Sequence, residues 1–149
     1  MGTLFGYYTA ADDQDAGRAV VRVDGEPSGS GYDGLVVKGI DPTTDLLTVE
    51  FVITGRPAGV IKSDSRHGHV VATVGGGEVV SVSLTDAFRD ALATIDQAFL
   101  GDVAYGWSRS ARFTTPPDTE HLVDFLQQLA ALAKRAVAQG HGLYCWIRQ

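Results

Sequence analysis

From Leu122 to Val137 apolar residues recur at three- and four-residue spacing: Leu122, Phe125, Leu126, Leu129, Leu132, Ala133, Ala136 and Val137. That rhythm predicts one amphipathic helix of about six turns at ~3.6 residues per turn. Thr115-Pro116-Pro117-Asp118 has the grammar of its start: a residue able to cap, a proline tolerated in the first turn, and an acid at the positive dipole end. Lys134 and Arg135 are expected in its last turn, and Gly140 offers the left-handed stop. In Leu143-Tyr144-Cys145-Trp146-Ile147 both alternating faces are apolar, as in a strand covered on two sides. The helix should therefore lie back across the sheet that holds this strand at its centre.

Upstream the pattern is weaker. Leu4–Tyr8 reads as a short aromatic strand, and the acids from Asp12 to Asp15 as the start of a helix to about Val20. Gly17 weakens that helix by about 1 kcal/mol relative to alanine. Asp24 to Gly34 is a glycine-rich loop. It is no phosphate cradle, since it lacks a Gly-Lys-Ser/Thr ending and runs into the strand Leu35–Lys38. Asp41-Pro42 and Gly55 mark the two ends of a helix over 42–54. Within it Leu47, Val49, Phe51 and Ile53 alternate with Thr48 and Glu50, which favours a strand. The two readings compete, and the agreement of start and stop signals tips the choice to helix. Val60–Ile61 and His69–Val74 look extended, and Gly75-Gly76-Gly77 joins Val70–Val74 to Glu78–Leu84 as a hairpin. Thr85-Asp86 caps a helix with Phe88, Leu92, Ile95 and Phe99 on one face, and Tyr105 to Phe113 reads as an irregular link. The class expected is α+β: a single domain over 1–149, with helices packed on a mixed or antiparallel sheet.

Composition narrows the function classes. A chain of 149 residues buries roughly 68–70% of its unfolded surface and folds without metal or disulfide. The net charge of −6 argues against a nucleic-acid backbone as partner and suits a basic protein. Cys145 stands alone, so no internal disulfide forms, and a reducing cytoplasm is expected. No run approaches ~18 apolar residues, so no membrane span is predicted. Met1 to Gly6 lacks the basic region of a signal peptide and the Ser or Thr of an acylation motif.

The candidate chemistry is sparse. His67-Gly68-His69, with Asp64 and Arg66 before it, is the one histidine cluster, and on a strand end both rings would share a side as metal ligands do. Zinc needs a third ligand, and only Asp64 is near in sequence, so a polar loop entering a hairpin is the plainer reading. His121 reads as a surface residue and His141 as part of a turn. Ser81, Ser83, Ser108 and Ser110 lack a Gly-x-Ser-x-Gly setting, and Cys145 reads as core. Asp12, Asp13, Asp15, Asp86 and Asp90 are explained by capping. Trp107, Arg109, Arg112 and Phe113 have the composition of a protein-binding hot spot, against a plain alternative of buried aromatics and solvated arginines. No cofactor is called for.

Met1-Gly2 with Phe5-Gly6-Tyr7-Tyr8, Lys38-Gly39-Ile40-Asp41-Pro42, Ile53-Thr54-Gly55, Trp107-Ser108 with Phe113, and the closing Leu143–Ile147 together resemble a group of small actinobacterial proteins. More distantly the chain is similar to the YfbM-like domain of unknown function. The resemblance implies an α+β fold with helices on a mixed sheet, favours a helix over 42–54, and carries no assigned activity or catalytic residue. The expectation is a cytoplasmic, non-enzymatic protein-binding module of immunity or regulator type. The competing expectations are a small metal- or ligand-dependent enzyme using Asp64, His67 and His69, and a homodimer formed through an exposed sheet face.

Overall fold

In the computed structural model, which describes residues 2–110 and 118–149, the alternating runs pair into one five-stranded sheet. Its strands are β1 (Leu4–Ala10), β2 (Gly34–Lys38), β3 (Val70–Val74), β4 (Val79–Ser83) and β5 (Gly142–Arg148). The order is β2-β1-β5-β4-β3 and every pairing is antiparallel. β5 lies at the centre, with Leu4 opposite Arg148 on one side and Val79 opposite the same arginine on the other.

Strand alternation sends successive side chains to opposite faces. Phe5, Tyr7, Leu143 and Cys145 join Val82 in the larger core, beneath four helices. These are α2 (Leu47–Thr54), α4 (Asp86–Thr94), α5 (Gln97–Ser108) and α6 (Thr119–Gln139). Tyr8, Ala10, Tyr144 and Trp146 face the other way, under α1 (Asp13–Arg18) and the loop through Tyr32. α6 begins on Asp118, which accepts from the Glu120 amide, and ends on Gly140 at φ 70°. The Gly140 and His141 amides close onto Val137 and Ala136 in a Schellman turn. The helix runs past Lys134 and Arg135 by more than a turn, and Arg135 instead clamps Asp33. The predicted start at Thr115-Pro116-Pro117 lies outside the described residues.

The 42–54 segment is helical only from Leu47. Asp41 does act as a cap, but of a turn: its Oδ1 accepts from the Thr43 and Thr44 amides. Three expectations are corrected. Val60 and Ile61 belong to α3 (Ala58–Ser63), whose one buried residue, Ile61, leaves too faint a period to read. The helix from Asp86 breaks at Ile95 and Asp96, both extended, and Asp96 caps α5 on the Ala98 amide. Tyr105 to Ser108, read as an irregular link, lie inside α5, where Gly101 and Gly106 had masked the helix.

Candidate functional site

The loop from Asp64 to His69 is tied down by its own charges. Asp64 ends α3, and its carboxylate accepts from the Arg66 backbone N–H at 2.8 Å and from Arg56 Nη2 at 2.9 Å. The Arg66 amide and then the Arg56 guanidinium hold that carboxyl below its usual range. Arg66 spans both oxygens of Asp13 at 3.0 and 2.6 Å, and its carbonyl accepts from Ser83 Oγ at 2.6 Å. Tyr144 of β5 donates to the same Asp13 at 2.8 Å. Arg66 and then Tyr144 lower the Asp13 pKa against the opposing effect of partial burial, while burial pushes the Tyr144 phenol up. Arg66 therefore clips the loop to the first turn of α1 and to β4, and Asp13 carries the link on to Tyr144 of the central strand.

His67 and His69 do not share a strand face. Gly68 lies between them at φ 65°, so the two-residue alternation of a strand does not apply. Its amide donates to the Ser83 carbonyl at 3.0 Å, and the His69 carbonyl receives the Ser83 amide at 2.9 Å. His67 is half-buried in the turn and His69 is exposed. Among the described residues no three His, Cys, Asp or Glu side chains stand together as a metal-binding group.

The acid that the sequence reading passed over is Glu50. It is the one charged residue of α2 and is 2% exposed. Thr85 donates its hydroxyl to Glu50 Oε2 at 2.7 Å and accepts from the Phe88 amide at 3.1 Å, so one threonine caps α4 and satisfies the acid. Burial pushes the Glu50 carboxyl up, opposed by the Thr85 hydrogen bond and the nearby charges of His67 and Arg56.

Helix α2 turns outward what helices ordinarily bury. Phe51 is 49% exposed and Val52 46%, beside a groove between α2 and α5 of about 200 Å³. Val49, Val103 and Trp107 line the groove, with Asp102 at its edge. Trp107 is core: it packs on Phe125 at 6.3 Å between centroids and donates Nε1 to the Asp45 carbonyl at 3.0 Å. Arg109 closes α5 with its guanidinium 5.2 Å from the exposed Tyr105 ring. Asp64, Arg66, His67 and His69 thus gather at one loop, Trp107 and Arg109 lie on α5, and Arg112 falls outside the described residues. Phe51 and Val52 could have been found as apolar residues on both sides of a helix that has only one acid. Comparison with models of known families, with curated proteins and with solved structures finds no match.

Proposed function

We propose that this chain is a non-enzymatic, cytoplasmic protein-binding module of immunity or regulator type, presenting the α2–α5 face to a more basic partner. One observation carries the reading: α2 buries its only acid and exposes its phenylalanine. An apolar helix face left to water is costly, and such patches mark surfaces that a partner covers. Charge supports the partner's sign. Arg18, Arg22, Arg56, Arg66, Arg89 and Arg135 are each held by an aspartate of the same chain. With 18 acids against 12 lysines and arginines, the surplus acids face outward. The kinship with the YfbM-like domain is part of this proposal and adds no activity to it.

The test is capture from the native cytoplasm with tagged wild type and with the double variant Phe51→Ser/Val52→Asp. A single partner recovered in equal amount, weakened by salt and lost with the folded variant, is the expected result. Equal recovery by the variant removes α2 from the interface.

A second reading, a ligand-dependent enzyme working through His67 and His69, draws support from the raised Glu50 carboxyl near His67. A bound small molecule in native mass spectra that disappears on His67→Ala/His69→Ala would favour it. A ligand that stays bound would end it.

A further inference from the structure

The sheet has two edges, and they differ. β3 carries a register irregularity between Val70 and Ala72, a feature that discourages a further strand. β2 runs in regular register against β1 over five residues and, among the described residues, has a neighbour on one side only. The Thr9 amide donates to the Asp33 carbonyl and the Gly39 amide to the Thr3 carbonyl, which fixes which pairs exchange hydrogen bonds. By antiparallel alternation Leu35 and Val37 turn their backbone groups to β1, while Val36 and Lys38 turn theirs outward.

A strand added there would find space on both faces. Between β2 and α6 lies a cleft of about 330 Å³, lined by Leu35, Val37 and Ile40 from the strand side and Leu122 and Phe125 from the helix. The exposed α6 residues His121, Asp124 and Gln128 stand at its mouth, with Gln128 Nε2 donating to Asp124 at 2.8 Å. On the opposite face, beside Val36 (59% exposed), a hollow of about 110 Å³ opens between Tyr32 and Trp146.

We propose that the β2 edge binds an extended peptide segment of a partner protein by strand addition. Backbone groups of Val36 and Lys38 would pair with it. One large apolar side chain of the peptide enters the α6 cleft. The next residue, small, faces Tyr32 and Trp146, and the one after it, basic, returns to Asp124. A second copy of this chain fits less well, because two-fold pairing of β2 would bring two acidic α6 starts, each with Asp118, Glu120 and Asp124, onto one face. The site is separate from the α2–α5 face, so its failure leaves that reading standing.

The experiment is selection of the whole protein against a random-peptide display library, followed by amide NMR titration with an enriched synthetic peptide. Enriched sequences should alternate apolar, small and basic, and binding should shift and protect the Val36 and Lys38 amides. Val36→Pro removes one outward donor and should weaken binding by about tenfold or more, while Val36→Ala stays within about twofold. Asp124→Lys should weaken a basic peptide. The proposal is overturned if no peptide is enriched, if shifts map away from Val36 and Lys38, or if folded Val36→Pro binds as wild type does. It is also overturned if the free protein forms a dimer that Val36→Pro dissociates, since a second copy would then own the edge.

Discussion

The indole of Trp146 lies across Gly6 and Gly29, and a methyl group on either glycine would enter the ring's space. Gly6→Ala should therefore lower stability by about 1–3 kcal/mol, seen as a lower urea midpoint with unchanged slope. Gly101, inside α5, has open space where a Cβ would go, and Gly101→Ala should raise stability by about 0.5–1 kcal/mol. At Glu50 the burial of an acid sets a pH dependence. The folded state holds its proton more tightly than the unfolded chain, so the contribution of the protonated acid is full below the ordinary value of 4.5. It is lost as pH rises through the folded value. Glu50→Gln keeps the group neutral and should gain on wild type in urea titrations as pH rises from acid to neutral, the two converging at low pH. Asp13 and Asp64 act in the opposite sense. Their lowered values contribute stability that is present above the ordinary carboxylate range and is lost as pH falls through their folded values.

Between elements, the Arg66–Asp13 contact joins a loop to a helix 53 positions earlier in the chain. A double-mutant cycle with Arg66→Ala and Asp13→Asn should give a coupling of about 1 kcal/mol or less, reduced by salt because both side chains are partly exposed. That contact shows where sequence reading stops. Long periodic elements with clear punctuation were legible: α6 with its glycine stop, the apolar β5, and the β3–β4 hairpin around Gly75–Gly77. Local propensity failed where an element's period was broken or too short, as in α5 with two internal glycines and in six-residue α3. In α2 the glycine stop was right, the Asp41-Pro42 start capped only a turn before the helix, and the alternation was misleading, because Glu50 points inward to Thr85, 35 positions away. The candidate site was legible in part. Asp64, Arg66, His67 and His69 are neighbours in sequence, whereas Asp13, Tyr144 and Glu50 reach the same region only through the fold. The all-round apolar pattern of α2 signals that some of its apolar residues meet solvent, but which ones do, Phe51 and Val52, is decided only by what the rest of the chain packs against the helix.

For the whole molecule, Phe51 and Val52 are each about half exposed, so Phe51→Ser/Val52→Asp should cost about 1–3 kcal/mol in urea titrations and leave the domain folded, even where it abolishes partner capture. Amide exchange should be slowest in β1, β5 and β4, which have neighbours on both sides, and fastest at the β2 and β3 edges. The central place of β5 has a further consequence during synthesis. Residues 142–148 leave the ribosome after all four strands they organise. Until then the β1–β2 and β3–β4 pairs share no neighbour, and two apolar edges wait for one missing strand. A ribosome that pauses before Gly142 prolongs the time in which those edges can meet a chaperone or another nascent chain. A product ending at Gly140 would be a substrate for degradation, with none of the domain's activity in hand.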